Sequence, residues 1–97
     1  MVQIKWLKTA KRDLKEIHDY ISIDSKRLAR LQVERIKDKT TLLKSHIGLG
    51  KIVEEVRIPE VREIIEGNYR IIYKIIHPKE IHILMVHHSA RDLSKRV

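Results

Sequence analysis

The chain has no cysteine, no phenylalanine, three glycines and two prolines. Without cysteine there is no disulfide framework, no thiolate metal site and no thiol nucleophile. That composition fits the cytoplasm, which is the expected location. No Pro/Gly-rich linker, internal repeat or low-complexity tract divides the 97 residues. A chain of that length is just large enough to bury one core unaided, so one domain over residues 1–97 is expected. Long apolar runs are also missing. "MVQIKWLK" is interrupted by Lys5 and Lys8, and no later run approaches the ~18 residues of a membrane span. Neither a signal peptide nor membrane contact is expected.

Several motifs are absent as well. There is no HExxH, CxxC or carboxylate-rich loop, and His87 and His88 are adjacent, so on a strand they point oppositely. No metal is predicted. There is no GxGxxG or P-loop and no nucleophile elbow, so no cofactor is predicted either. Trp6, Tyr20, Tyr69 and Tyr73 are the only aromatics, a thin set for a general single-strand binder that stacks successive bases.

What the chain does have is positive charge, 21 Lys and Arg against 13 Asp and Glu, for a net +8. Residues 1–46 carry 12 basic and 6 acidic groups, while residues 47–97 carry 9 and 7. A small domain with this excess attracts polyanions: nucleic acid, an anionic membrane or an acidic protein. The bland alternative is that Lys and Arg simply solvate helix surfaces.

The pattern of apolar residues changes once along the chain. "VQIKW" alternates and reads as a short strand. Leu7, Ala10, Leu14, Ile17 and Ile21 then recur at helical spacing. Thr9 is the expected N-cap, with Asp13 in the first turn. Asp24 or Ser25 caps a second helix, whose stripe is Ala29, Val33, Ile36, Leu43 and Ile47, stopped by Gly48 of "GLG". The two fold back as an antiparallel hairpin over about 9–47. After Gly50 the period becomes two. "KIVEEVRI" reads as a short strand ended by Pro59, and "VREIIE" and "YRIIYKII" are strands joined by Gly67-Asn68. "IHILMVHH" follows the "HPKE" turn, and a short basic tail occupies 89–97. The expected fold is therefore α+β: a short N-terminal strand and a helical hairpin on one face of a three- to four-stranded antiparallel sheet over about 52–88.

Arg70 is the awkward residue, a guanidinium among Tyr69, Ile71, Ile72 and Tyr73. The Gly67-Asn68 loop pairs Glu66 with Tyr69, Ile65 with Arg70 and Glu63 with Ile72. An even loop at Pro78-Lys79 would pair Ile76 with Ile81, Lys74 with Ile83, Ile72 with Met85 and Arg70 with His87. Ile64, Ile71, Tyr73, Ile75, Leu84 and Val86 then face the helices, together with His82 and His88. Glu63, Ile65, Arg70, Ile72, Lys74, Ile83, Met85 and His87 form an open face that mixes charge with apolar area, a candidate binding surface. Arg70 suits a phosphate and His87 exchanges a proton near neutral pH. Together they could cleave a phosphodiester without metal. The alternative is a snorkelling arginine beside a strand-end histidine.

"WLKTAKRDLKEIHDYI", "GLG", "VREIIEGNYRIIYKI" and "IHILMVHHSARDL" resemble the RelE/ParE superfamily of toxins from bacterial type II toxin–antitoxin modules. The resemblance runs over nearly the whole chain and is most specific in "REIIEGNYRIIY" and "ILMVHHSARDL". It implies a compact strand–helix–helix–sheet toxin silenced by a small acidic antitoxin, in a heterotetramer of toxin and antitoxin. RelE-like members cleave mRNA on the ribosome, whereas ParE-like members poison DNA gyrase. The long hairpin, "REIIEGNYRIIY" and the continuation "HSARDL" resemble the ParE-like, plasmid-stabilisation branch. A retired toxin that keeps only partner binding is a further alternative. By this resemblance Arg70 takes the family's strand arginine, and His87 and Arg91 its end-of-sheet basic positions. Arg70, His87 and Glu63 would be catalytic in a nuclease; Arg62, Lys74, Ile65, Ile72, Met85 and Arg91 would contact target or antitoxin. Arg62, on the helix-packed face, is otherwise a structural partner of Glu66 or a strand-end residue.

Overall fold

The computed structural model describes residues 1–97. Strand β1 (Gln3–Trp6) leads into helices α1 (Lys8–Ser22) and α2 (Lys26–Thr41), and strands β2 (Lys51–Ile52), β3 (Val61–Glu66), β4 (Tyr69–His77) and β5 (Glu80–His88) follow. The sheet order is β1-β5-β4-β3-β2, with β1 parallel to β5 and the other neighbours antiparallel. The N-terminal strand is thus a fifth strand of the same sheet, paired to the last one.

The helices form where the apolar period requires, with different ends. α1 starts at Lys8, its N-cap position is Leu7, and no side chain caps it. Ser25 caps α2 by accepting the Leu28 N–H at 3.1 Å, which removes one of the unpaired donors of the first turn. α2 stops at Thr41, before Gly48, and tightens into a 3-10 turn at Leu42–Lys44. Leu43 stays fully buried despite the change of helix type.

The helical face of the sheet carries the main core: Ala10, Leu14, Ile36 and Leu43 from the helical layer meet Ile64, Ile71, Tyr73, Ile81, Ile83 and Val86. Tyr73 anchors one end. Its hydroxyl donates to the Ile47 carbonyl and accepts the Gly50 N–H. A Cβ on Gly50 would sit 2.5 Å from the Glu63 carbonyl oxygen and 2.8 Å from the Tyr73 hydroxyl, so this close approach needs glycine.

Besides the Thr9 cap and the Gly48 stop, three expectations about the sheet are overturned. First, "KIVEEVRI" is strand only at Lys51–Ile52; the chain then turns, with Arg57 at φ 58°. Second, the β4–β5 register holds at Arg70–His87 and Ile72–Met85 but shifts at the next pair, where Tyr73 meets Ile83. Leu84 is the extra residue of a β-bulge, and Leu84 and Met85 both pack away from the helices. Lys74 therefore pairs with His82 and Ile75 with Ile81, so Ile81 and Ile83 face the helices while His82 and Leu84 do not. Third, the sheet face opposite the helices is not open. Val53 and Val56 from the turn after β2, and Leu93 from a 3-10 turn in the C-terminal segment, close over Ile72, Val61, Leu84 and Met85 as a second apolar cluster.

Candidate functional site

Arg70 and His87 lie side by side in register across β4 and β5, on the face covered by the second cluster. The type of neighbour each has found decides what they can do. Arg70 Nε and Nη2 both reach Glu63 Oε2, at 2.7 and 2.6 Å. Its two Nη atoms grip Glu55 as a fork, at 2.8 and 2.9 Å. Three of the five guanidinium N–H groups are thereby hydrogen-bonded to carboxylates, and Nη2 also pairs with Glu63. Glu63 is 5% exposed and its outer oxygen has Lys51 Nζ at 3.6 Å. The Arg70 hydrogen bond is the main reason the Glu55 carboxyl is lowered to about 2. Reciprocally, Glu55 first and Glu63 next raise the Arg70 pKa, against the opposing effect of burial.

His87 is 4% exposed. Its Nε2 meets the Arg91 carbonyl at 3.0 Å and its Nδ1 meets Arg96 Nη1 at 3.2 Å. A carbonyl only accepts and a guanidinium only donates, so Nε2 carries the hydrogen and Nδ1 is the acceptor. Both ring nitrogens are occupied. Arg96 also holds Asp13 of α1, with Nη2 at 2.8 Å from Oδ2 and 3.1 Å from Oδ1. Asp13 Oδ2 accepts the Val86 N–H at 3.0 Å. The C-terminal segment is thereby tied to both layers around the edge of β5.

The other expected site residues scatter. Arg62 is a staple, its Nε donating to the Pro59 carbonyl and its Nη1 to those of Gly48 and Gly50; carbonyls, not Glu66, are its partners. Ile72 is fully buried and Met85 half-buried, while Lys74 and Ile65 are exposed. The Arg91 side chain is exposed and has no carboxylate partner, because Asp92 caps the following turn through Ser94. At the far end of the β4–β5 hairpin, Glu80 joins His77 and His82, at 3.4 and 2.6 Å, and the His82 contact is the main cause of its lowered pKa.

Three members of this network are not picked out by sequence reasoning. Asp13 carries a readable signal, since it falls between Ala10 and Ile17 on the inward stripe of α1. A carboxylate there requires a buried donor. Glu55 and Arg96 sit in segments without period and carry none.

The family model described as "ParE toxin of type II toxin-antitoxin system, parDE" matches residues 4–93. Among solved structures, the chromosomal ParDE toxin–antitoxin system of P. aeruginosa is similar, with TM-score 0.72 and 24% identity over 91% of this chain and 96% of that one. The toxin–antitoxin complex RelBE2 from Mycobacterium tuberculosis is similar with TM-score 0.58 and 22% identity, over 90% and 96%. These two likenesses carry the fold. No curated protein sequence matches the chain. No helix is long and apolar enough to cross a membrane. By the match over residues 4–93, the chain belongs to the family of ParE toxins of type II toxin–antitoxin systems.

Proposed function

We propose that the chain arrests growth by poisoning DNA gyrase in the cytoplasm, acting by binding and performing no chemistry itself. The observation that carries this reading is the closure of the Arg70–His87 pair. A nuclease needs a guanidinium free to meet developing phosphoryl charge and an imidazole free to move a proton. Here two carboxylates fill the fork of Arg70, and His87 spends both nitrogens inside the protein. Family membership on the ParE side supports the same conclusion.

An acidic antitoxin is the proposed silencing partner. The +8 charge supports it, as do the structural likenesses to a ParDE system and a RelBE2 complex. The test is a supercoiling assay with purified gyrase and toxin. Lost supercoiling and accumulated cleaved DNA are expected, reversed by the antitoxin. Undisturbed gyrase at excess toxin overturns the reading. Ribosomes programmed with mRNA and incubated with toxin provide the second arm, where intact mRNA is expected; cleavage lost on His87→Ala would assign the chain to the RelE-like activity instead. Harmless expression of soluble chain in a host without antitoxin would identify a retired toxin.

A further inference from the structure

Trp6 and facing stretches of α1 and α2 border a groove of about 670 Å³. Its apolar lining is Trp6, Leu14 and Val33, and Lys11, Lys15 and Lys37 stand around them. Trp6 ends β1 one residue before α1, and the two helices run antiparallel, so lysines distant in sequence line the same groove as one indole. Lys11 and Lys37 have no carboxylate within 4.0 Å, and Lys15 reaches only the exposed Asp19, at 4.0 Å. Asp19, the groove's single carboxylate, is shared between Lys15 and His18.

We propose that this groove is a subsite for single-stranded nucleic acid, taking one base against the Trp6 indole while Lys11, Lys15 and Lys37 hold the flanking phosphates. Every base has a π-face, so an aromatic wall accepts bases without regard to sequence. Lysine is a compact charge on a flexible stem and follows an irregular backbone better than a rigid fork would. Lys11 and Lys37, without a carboxylate, and Lys15, paired only with the exposed Asp19 at 4.0 Å, complement a strand with one charge per nucleotide. A duplex keeps its bases stacked within itself and offers none to Trp6. A partner helix would find only three apolar side chains to anchor on, with cations surrounding them. The chain's shortage of aromatics limits the subsite to one base. The inference concerns a surface away from Arg70 and His87 and needs no gyrase, so it stands or falls separately from the proposed function.

Trp6 is the only tryptophan, so its fluorescence reports on this groove alone. The full chain is titrated with a short single-stranded oligodeoxyadenylate at several salt concentrations. Saturable quenching is expected, with log affinity falling against log salt at a slope of about −2, as three phosphate contacts give on a single strand. Affinity then drops about twentyfold between roughly 50 and 200 mM salt. The Lys11→Gln/Lys37→Gln double variant changes exposed residues and keeps the circular dichroism of the parent. Its slope falls to about −0.7. Absence of quenching, an unchanged slope in the double variant, or quenching by a duplex as strong as by the single strand overturns the proposal. Quenching by a helical peptide rich in alanine and glutamate, and not by the oligonucleotide, also overturns it and assigns the groove to a protein partner.

Discussion

Arg70 and Glu63 lock diagonally across β3 and β4, with two guanidinium nitrogens on the single oxygen Oε2. Glu63 lies beneath the second apolar cluster and has no other contact of that quality. Removing its partner would leave a carboxylate out of water with only Lys51 on its outer side. Arg70→Ala is therefore expected to destabilise the fold by about 3 kcal/mol, the lower end for breaking a buried pair. Adding Glu63→Gln should recover part of that loss, because a neutral amide leaves no unpaired charge. Urea denaturation of the two variants measures both. A lost toxicity in Arg70→Ala would thus report on folding before it reported on catalysis, and equal stability of parent and Arg70→Ala would refute this account.

Glu55 makes stability depend on pH in a defined window. Its carboxyl is lowered to about 2 from 4.5, chiefly by the hydrogen bond from Arg70. The folded chain gives up this proton more readily than the unfolded one. The resulting stabilisation is complete above the unfolded value near 4.5 and is lost as pH falls through the folded value near 2. Glu55→Gln should be less stable than the parent by a constant amount at neutral pH. The gap should shrink below about pH 4.5 and close near pH 2. Denaturation midpoints across that range provide the check, and a gap that persists to the lowest pH would exclude the Arg70 contact as its source.

How much of this arrangement is legible in the sequence varies by element. The β3–β4 register is legible because Gly67-Asn68 fixes the turn, with Gly67 at φ 57°. The juxtaposition of Arg70 with His87, counted from the Pro78-Lys79 turn, holds because two one-residue shifts, at Ile76 in β4 and at Leu84 in β5, cancel before that pair is reached. Between the two shifts, "IHILMVHH" has apolar residues on both sides of the strand, and nothing marks Leu84 as the extra residue. A shift of one position is enough to turn His82 away from the helices. The closed second face is the larger miss. Val53, Val56 and Leu93 cover it from irregular segments, where no period announces burial. An exposed Arg70 is therefore the natural reading, and the Glu55 clamp is visible only in three dimensions.

Gln32 offers a route to a more stable chain. Its Nε2 is buried on α2 without a hydrogen-bond partner, so the amide has lost water and gained nothing. An unmet buried donor costs about 1–3 kcal/mol. Gln32→Met keeps the length of the side chain and its helix preference while deleting the donor. Thermal denaturation should show the variant more stable by about 1 kcal/mol. A destabilised variant would mean that the amide is served by a partner after all.

Asp13 should matter more to stability than any other acidic residue of the hairpin, because two layers and the C-terminal segment meet on it. β1 stops pairing where the Leu7 N–H reaches the Ile83 carbonyl, so the Val86 N–H lies on a bared stretch of β5. Asp13 accepts it and uses the same carboxylate to hold Arg96, which in turn faces His87 Nδ1. Asp13→Ala strands a buried backbone donor and frees the arginine, at an expected cost of about 2–3 kcal/mol. Arg96→Ala should cost less by itself, since that side chain is 30% exposed and leaves Asp13 still bonded to Val86. The two losses should not add. With Asp13 already gone, removing Arg96 changes little, and the difference measures their coupling. Amide exchange gives a second view: Asp13→Ala should speed exchange at Val86 and at Arg96, whose N–H closes the last turn onto Leu93. Fully additive stabilities, with exchange at Arg96 unaltered, would show that the C-terminal segment is held by Leu93 alone.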